Sequence, residues 1–391
     1  MASPAHKHMR HIGTLAVIGV IGALGVRYVL SRAEQAARRP ARAVDWEQAR
    51  RIAQLVSQSD QAPLIDRTGR SLQYAAMVRQ SEPLIAEYMG AQLPAPISRV
   101  YVVDRREWLE ANVASFGAVF DPIEELYSDA TARHGALGAL FGEINGRIVG
   151  TQLGALLGYL ARRVLGQYDL SLLSPDPEQR GALYFVEPNI AMVQRQLGLG
   201  DADFRLWITL HETTHVFQFE AFPWVRPYFN QLLREFLSQV SDQLTSLSGG
   251  MIGLLERIAA REPIDRHWIE MMLTPQQRQI FDRIQALMSI VEGYSNHTMN
   301  AIGTRLLPEY QQIEERIKVR QLRRPVIEEL FNRVTGMDLK LAQYQQGEAF
   351  FNAVVAARGR AYANRVWERA ENLPTMAEIR DPQRWLSRMD A

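Results

Sequence analysis

The chain has 391 residues, of which 47% are hydrophobic and 22% are charged, and this ordinary globular composition excludes a disordered, collagenous or low-complexity protein. Its 44 lysines and arginines against 43 acidic residues give a net charge of +1, so the positive excess typical of nucleic-acid-binding proteins is missing and we expect no nucleic-acid partner. Cysteine is absent, which excludes disulfide scaffolds and cysteine nucleophiles and leaves His, Asp and Glu as the candidate metal ligands.

The N-terminal region contains an apolar stretch that is uncharged from Ile12 to Val26. Extended to Leu30, it would form a helix about 28 Å long, close to the roughly 30 Å hydrocarbon core of a bilayer. Three interpretations remain open: an uncleaved membrane anchor, a signal peptide and a helix of a soluble protein. We favour an anchor over residues 12–30, because no small-x-small cleavage site directly follows the apolar stretch.

Basic residues flank this segment, with more of them on its C-terminal side. By the positive-inside rule, this asymmetry places the body of an anchored protein on the cytoplasmic side of the membrane, and a soluble cytoplasmic protein is the alternative. A polar linker, AEQAARRPARA, follows, so we predict a first region over residues 1–43 and a folded body over residues 44–391. The flanking residues are Lys7 and Arg10 before the segment and Arg32, Arg38, Arg39 and Arg42 after it.

Most of the body carries apolar residues at the three-to-four spacing of amphipathic helices. Strand signals are few: SRVYVV (98–103) and ALYFV (182–186) are short, rich in β-branched or aromatic residues and flanked by Pro or Gly. The sequence therefore predicts a mainly α protein with a small β-sheet, an α+β fold. The predicted helices are Val44–Gln58, Ser71–Met89, Phe204–Glu220, Trp224–Leu247, Thr274–Ile302, Val326–Thr335 and Lys340–Arg358.

Glycines recur at every fourth position from Gly138 to Gly158. A glycine inside a helix costs about 1 kcal/mol relative to alanine, so we expect a compensating close approach of neighbouring helices. The alternative is a second transmembrane helix, in which small residues at this spacing mediate helix packing. Glu143, Asn145 and Arg147 in the middle of the run favour a buried helix of a soluble body.

Residues 211–215 read HETTH within a stretch that is helical by its apolar spacing. On a helix, His211 and His215 are four residues apart and share a face, so their imidazoles can occupy two corners of one zinc tetrahedron. Glu212 is next to His211 and cannot be a third ligand from the same turn. It is oriented toward the position of a metal-bound water, which suits a general base.

A catalytic zinc ion needs a third protein ligand. The extended metzincin pattern would require glycine at position 218 and histidine at position 221, and Gln218 and Ala221 exclude it. Glu292 is the favoured third ligand, because it follows Ile290 and Val291 in an apolar helical stretch, where an acidic side chain is costly unless it is paired or binds a metal.

Other residues near these motifs are weaker candidates. Asn296 lies one turn after Glu292 and is predicted to hydrogen bond one of the liganding histidines. Three further acidic residues are alternative ligands, although each is equally explained as a solvated helix position. They are Glu220, Glu235 and Asp242, and the remaining histidines of the body are His134, His267 and His297.

Two catalytic candidates and one binding candidate complete the predicted site. Tyr294 and His297 can donate a hydrogen bond to the oxyanion of a tetrahedral intermediate, and the alternative for each is a purely structural role. The ALYFV strand is a candidate edge strand that pairs with an extended substrate, and its alternative is a strand in the middle of the sheet.

Longer segments around these motifs resemble one known family. They are HETTHVFQFEAFPWVRP (211–227), VEGYSNH (291–297), VDRREWLEANVASFGAVFDPI (103–123), LGQYDLSLL (165–173), LYFVEPNI (183–190), DFRLWITLHE (203–212), DLKLAQYQQGEAF (338–350) and NRVWERAENLPTMAEIRDPQRW (364–385). They resemble the zincin-like metallopeptidases best known from actinobacteria, which are often labelled as associated with the biosynthesis of a deazaflavin coenzyme. The resemblance covers the body from about residue 44 and leaves out the N-terminal segment.

The resemblance implies a zincin-like fold, in which an active-site helix at about residues 203–220 lies under a small sheet. It implies that His211 and His215 bind zinc, that Glu212 is the catalytic glutamate and that Glu292 is the third ligand, as in gluzincins. The chain departs from the thermolysin pattern in one respect, because Glu292 follows His215 at a much greater distance. We therefore expect inserted helices between the two motifs.

The predicted function is that of a zinc-dependent metallopeptidase, with zinc as its cofactor and a peptide or protein as its substrate. Glu212 would act as the general base toward a zinc-activated water. One alternative is a non-catalytic, zinc-stabilised scaffold that retains the zincin fold and is tethered to a membrane. A second alternative is the hydrolysis of an amide other than a peptide bond.

Overall fold

The computed structural model describes residues 42–58, 66–132, 135–168, 181–246, 274–322 and 337–391. The apolar segment over residues 12–30, the predicted helix Val326–Thr335 and the side chains of His134 and His267 lie outside these ranges. Within them, no helix is both long and apolar enough to cross a bilayer. The N-terminal anchor therefore stays a prediction.

Helices make up most of the described chain, and the predicted mainly α fold with a small sheet is confirmed. The helices are α1 (Trp46–Ser57), α2 (Arg67–Met89), α3 (Arg105–Ala132), α4 (Gly135–Ala161), α5 (Glu187–Leu197), α6 (Asp201–Glu220), α7 (Val225–Ser246), α8 (Pro275–Leu306), α9 (Tyr310–Leu322), α10 (Met337–Arg358), α11 (Arg360–Ala363), α12 (Met376–Arg380) and α13 (Pro382–Asp390). The strands are β1 (Val100–Val103), β2 (Gly166–Tyr168) and β3 (Leu183–Val186), and short 3₁₀ turns cover Asn364–Trp367 and Ala370–Asn372.

The chain divides into two compact units. Of the residues that the structure describes, those within 42–53 and 120–156 form the smaller unit, and those within 54–119 and 157–391 form the larger unit. The sheet and the helices that carry the HETTH and VEGYSNH motifs all belong to the larger unit. The candidate metal ligands therefore lie within one unit.

In the smaller unit, glycines of α4 allow a close main-chain approach. A Cβ atom built on Gly146, Gly150 or Gly154 would lie 2.4 Å from a carbonyl oxygen of residues 42–49, which is too close for any side chain. The main-chain nitrogen of Asp45 also donates a 2.9 Å hydrogen bond to the carbonyl oxygen of Gly146. The close approach predicted from the glycine spacing is confirmed for these three positions.

The sheet of the larger unit has the strand order β1-β3-β2. Strand β1 pairs with β3 in parallel, with Val102 opposite Phe185, and β2 pairs with β3 antiparallel, with Tyr168 opposite Leu183. Both predicted strands are present, and β2 is an additional one. Because β3 is paired on both sides, the interpretation of the ALYFV segment as an edge strand is wrong, and the described edge strands are β1 and β2.

Helix α6 lies in the core of the larger unit, where it contacts α2, α8 and β2. A buried charge network fixes its N-terminal half, because the guanidinium of Arg205, which is 1% exposed, is paired with the carboxylates of Glu187 and Asp201. The hydroxyl of Tyr74 donates a 2.8 Å hydrogen bond to Glu187, and its ring stacks on Phe185 of β3. These contacts hold the HETTH helix against both α2 and the sheet.

Helices α8 and α10 cross at a pair of glycines. A Cβ atom on Gly293 would lie 2.2 Å from the carbonyl carbon of Gly347, and one on Gly347 would lie 2.0 Å from the carbonyl oxygen of Ser289. These main-chain contacts fix the backbone of α8 next to Glu292. The start of α8 is fixed separately, by a capping box between Thr274 and Gln277.

The C-terminal segment is anchored to the larger unit by Trp385. Two short helices, α12 and α13, cover much of this segment. Trp385 is fully buried, and its Nε1 donates a 2.8 Å hydrogen bond to the carbonyl oxygen of Asn372. A capping box between Thr375 and Glu378 starts α12 and accounts for the short helix.

Candidate metal centre

His211 and His215 lie one turn apart on α6 with their rings converging. Their Nε2 atoms are 3.2 Å apart, and the ring planes are nearly perpendicular. Burial lowers the pKa of His211 to about 3, with a smaller contribution from neighbouring His215. A neutral imidazole is the form that binds a metal ion, so the fold holds His211 in its ligating state.

Glu292 on α8 supplies the third group. Its Oε2 atom lies 3.8 Å from Nε2 of His211 and 3.9 Å from Nε2 of His215. Among the described residues, these three side chains are the group of His, Asp and Glu that offers ligand atoms within 4.8 Å of one another. Ligand atoms around a tetrahedral zinc ion lie about 3.3 Å apart, so small side-chain movements suffice to bind one. Two imidazoles and one carboxylate also form the donor set of a catalytic zinc site.

Gln218 connects the two helices that bear these ligands. Its Oε1 atom lies 2.8 Å from Nδ1 of His215, and its Nε2 donates a 2.7 Å hydrogen bond to the carbonyl oxygen of Val291. The side chain is completely buried. The sequence signal for this role of Gln218 is its position one turn after His215, on the same face of α6.

The second nitrogen of His211 has a different partner. Its Nδ1 atom lies 3.1 Å from the sulfur of Met299, and its ring stacks parallel to that of Trp207. A hydrogen bond to a liganding histidine is predicted for Asn296. In the structure, the side chain next to Nδ1 is Gln218 for His215 and Met299 for His211. Ser295, one turn before Met299, also lies against the site, with its hydroxyl 3.3 Å from Nδ1 of His215.

Glu212 lies beside the metal ligands and is 7% exposed. Burial raises the pKa of its carboxyl group to about 7, and the nearby charge of Glu292 adds to the rise, while His215 opposes it. The main-chain N–H of Tyr168 donates a hydrogen bond to the carboxylate and also opposes the rise. A carboxyl group that titrates near neutrality is suited to take up and release a proton.

Strand β2 presents one edge to this carboxylate. The main-chain nitrogen of Val186 donates to the carbonyl of Leu165 at 2.8 Å, so in the antiparallel ladder the main-chain groups of Gly166 and Tyr168 point away from β3. Gly166 touches Glu212 so closely that a Cβ atom there would lie 2.5 Å from its Cγ. The outward edge of β2 therefore lies directly beside the candidate general base.

Tyr294 and His297 make their hydrogen bonds elsewhere. The Tyr294 hydroxyl donates to Oδ1 of Asn364 at 2.8 Å. His297 has its Nε2 atom 2.8 Å from the hydroxyl of Tyr88 and its Nδ1 atom 2.6 Å from Oδ1 of Asn352. Burial lowers the pKa of His297 and raises that of Tyr294 above its ordinary value. Both side chains thus have the contacts of packed structural residues, and their catalytic role stays a prediction.

The position of these two residues follows from helix geometry. At about 100° per residue, Tyr294 and His297 lie about 160° and 140° around α8 from Glu292, whereas Ser295 and Met299 lie within about 60° of it. Proximity in sequence to Glu292 therefore does not bring the two candidates to the metal ligands. The structure brings together His211, His215, Glu292 and Glu212.

The alternative acidic ligands have other partners. Glu220 accepts hydrogen bonds from the hydroxyl of Tyr168 at 2.9 Å and from the main-chain nitrogen of Gly181 at 3.0 Å. Glu235 lies 3.8 Å from the guanidinium of Arg283. The side chain of Asp242 lies outside the described residues. The described geometry thus favours Glu292 over Glu220 and Glu235.

Comparison with known proteins agrees with this geometry. The family model described as "Zincin-like metallopeptidase" matches residues 44–386. A solved structure from Chloroflexus aurantiacus, provisionally described as a hydrolase with a novel fold, is 55% identical in sequence, with a TM-score of 0.66. That similarity covers 89% of this chain and 99% of the other. No curated protein matches the sequence.

Proposed function

Because the chain belongs to the zincin-like metallopeptidase family, we propose that it is a zinc-dependent peptidase with His211, His215 and Glu292 as its metal ligands. The observation that supports this most directly is the convergence of these three ligand atoms from α6 and α8. The provisional description of the 55% identical structure as a hydrolase agrees with it. A glutamate as third ligand makes the proposed site gluzincin-like. The association with deazaflavin coenzyme biosynthesis stays a prediction.

A zinc ion held at this site would supply a Lewis acid and an activated water for the hydrolysis of a peptide bond. Glu212 is the general base of the proposed reaction, because its buried carboxyl group has a pKa of about 7 and lies beside the ligands. It takes the proton of the attacking water and passes it to the nitrogen of the leaving amine. The Tyr168 N–H, which donates to the Glu212 carboxylate, holds that carboxylate in place.

We place the substrate along the outward edge of β2. An extended peptide adds to such an edge by main-chain hydrogen bonds, and the outward groups of Gly166 are next to Glu212. This replaces the substrate edge expected at residues 182–186. It also supports a peptide as the substrate, because a strand edge recognises a repeating amide backbone.

The alternative of a non-catalytic scaffold is less consistent with the site. A structural zinc site is closed by four protein ligands, whereas the described group has three with a buried carboxylate beside it. Glu212 has no function in a purely structural site, and its burial raises the free energy of its charged form. Hydrolysis of a non-peptide amide would use the same residues and differs only in the substrate.

The test is metal content and peptide hydrolysis of the full-length protein. We expect about one zinc ion per chain, lost in both His211→Ala and Glu292→Ala, together with cleavage of a mixture of fluorogenic peptides. Glu235→Ala is the matched control, because it removes a carboxylate from α7 and should keep the metal. Wild-type protein that binds no zinc, or that binds it and cleaves no peptide or protein, would contradict the proposal.

A further inference from the structure

Gln218 makes two hydrogen bonds that determine the orientation of its amide group. The carbonyl oxygen of Val291, 2.7 Å away, can only accept a hydrogen bond, so the NH2 group of Gln218 must face it. The oxygen of the amide therefore faces Nδ1 of His215 at 2.8 Å. Because the side chain is completely buried, water does not offer either group an alternative partner.

This orientation determines the tautomer of His215. An amide oxygen can only accept, so Nδ1 of the imidazole must carry the proton, and Nε2 keeps its lone pair. Nε2 is the atom that lies 3.2 Å from Nε2 of His211 and 3.9 Å from the carboxylate of Glu292. The lone pair is thus presented to the centre of the metal-binding group.

We propose that Gln218 is a positioning residue of the metal site, which selects the metal-binding tautomer of His215 and fixes α8 beside Glu292. Its second hydrogen bond is made to Val291, the residue before the third ligand, so one side chain sets the position of ligands on two helices. This inference rests on the proposed zinc site. It concerns a residue to which neither the HETTH motif nor the three ligands assign a role.

The two histidines differ in the partner of their Nδ1 atom. His211 has the sulfur of Met299 at 3.1 Å from its Nδ1 atom, and a thioether is a weak acceptor. The hydroxyl of Ser295 lies 3.4 Å from Oε1 of Gln218 and adds a second donor to that oxygen. A change at Gln218 should therefore alter His215 and leave the tautomer of His211 unchanged.

The first measurement is made on metal-free, full-length protein with ¹⁵N-labelled histidine. Long-range ¹H–¹⁵N correlation spectra report which ring nitrogen carries the proton, and His215→Ala identifies the His215 signals. In wild type we expect the proton of His215 on Nδ1. In Gln218→Leu we expect a mixture of tautomers. Gln218→Glu keeps an acceptor oxygen at this position, so we expect it to restore the Nδ1 proton.

The second measurement is the dissociation constant for zinc, obtained by competition with a chelator. Loss of a partner that orients a liganding histidine costs about 10- to 100-fold in metal affinity, and we expect this for Gln218→Leu. Gln277→Leu is the matched control, because Gln277 is 1% exposed and belongs to the capping box at the start of the same helix, α8. It should destabilise the fold without changing the His215 signals.

Two results would overturn the inference. One is a wild-type His215 with its proton on Nε2, which can be observed even if Gln218→Leu does not fold. The other is a folded Gln218→Leu protein whose His215 tautomer is unchanged and whose zinc affinity is within twofold of that of Gln277→Leu. A wild-type protein that binds no zinc would instead contradict the proposed function, while the tautomer measurement would still stand on its own.

Discussion

Gly166 of strand β2 lies directly against the side chain of Glu212 on helix α6. A Cβ atom at position 166 would lie 2.5 Å from Cγ and 2.7 Å from Oε1 of Glu212, distances that require one of the two to move. The next-but-one residue of β2, Tyr168, donates its main-chain N–H to the same carboxylate. Strand and carboxylate thus fix one another, so the candidate general base is positioned by the strand edge on which we place the substrate.

Gly166→Ala should therefore reduce activity while the metal is retained. The added methyl group displaces the Glu212 carboxylate, and misplacement of a catalytic group by about 1 Å costs about 10²-fold in rate. The three heavy atoms nearest to a Cβ at position 166 all belong to Glu212, so zinc content should stay that of wild type. The measurement is kcat/KM for peptide hydrolysis together with elemental analysis.

The matched control for this substitution is Gly117→Ala. Gly117 lies in helix α3, and a Cβ atom there would meet nothing within 4 Å. Replacement by alanine should leave activity unchanged and favour the helix by up to about 1 kcal/mol. Wild-type activity in a folded Gly166→Ala protein would contradict the assigned position of Glu212.

Glu212→Gln should separate catalysis from metal binding. The amide keeps the shape of the side chain but cannot take up a proton, and general base catalysis contributes about 10²- to 10⁴-fold. We expect a loss of kcat in this range with zinc bound as in wild type. A zinc-loaded variant that hydrolyses peptides at the wild-type rate would exclude Glu212 as the base.

The metal-free protein should lose stability as the pH rises, because of the same carboxyl group. Burial raises the pKa of Glu212 from 4.5 to about 7, so between these values the unfolded chain releases its proton while the folded chain keeps it. The raised pKa therefore lowers the free energy of unfolding. This loss is absent below pH 4.5 and has its full size above pH 7. Between pH 5 and pH 8, this loss amounts to about 2 to 3 kcal/mol.

Urea unfolding in the presence of a chelator measures this effect. The stability of Glu212→Gln relative to wild type should increase by about 2 to 3 kcal/mol from pH 5 to pH 8. Lowering of the His211 pKa acts in the opposite direction, since it reduces stability as the pH falls below 6.5, but it is common to both proteins and cancels in the comparison. A difference that does not change with pH would show that Glu212 is ionised in the fold.

The candidate metal ligands can be predicted from the sequence, because their signal is local and chemical. His211, Glu212 and His215 lie within five consecutive residues of one helix, and periodicity alone places both histidines on one face. Glu292 is predicted as the third ligand because an acidic residue within an apolar helix requires a compensating partner. Bringing α8 to α6 requires tertiary packing, including the glycine crossing with α10, which periodicity does not encode.

The sequence alone does not determine which neighbours of Glu292 in the chain are also its neighbours in space. Tyr294 and His297 stand close to Glu292 in sequence, yet helix rotation directs them to Asn364, Tyr88 and Asn352 instead. Side chains share a helix face at spacings of three, four or seven residues, and from Glu292 this rule selects Ser295, Asn296 and Met299 rather than Tyr294 and His297.

The sequence pattern does not predict strand β2, because the strand is short and contains a glycine. Its three residues, Gly-Gln-Tyr, include only one residue that favours strands, the tyrosine, and are too few for an alternating pattern. Its glycine is required by the contact with Glu212, so the local strand signal is weakened where the site needs space. The middle strand β3 has the strong signal, because it is buried between two neighbours, and this made it appear as the candidate edge.

Gly347→Ala should destabilise the fold and weaken the metal site together. A Cβ atom at this position would lie 2.0 Å from the carbonyl oxygen of Ser289, so α10 and α8 must separate. Overpacking costs about 1 to 3 kcal/mol and occasionally more, and we expect the upper end of this range because the clash is with main chain. Because Glu292 adjoins the crossing, the displacement of α8 also moves the third ligand away from the histidines. Urea unfolding should therefore show a lower free energy of unfolding, and chelator competition should show weaker zinc binding. Gly117→Ala, the control, should reduce neither quantity.

A Gly347→Ala protein that is as stable as wild type and has the same zinc affinity would show that the crossing does not position Glu292.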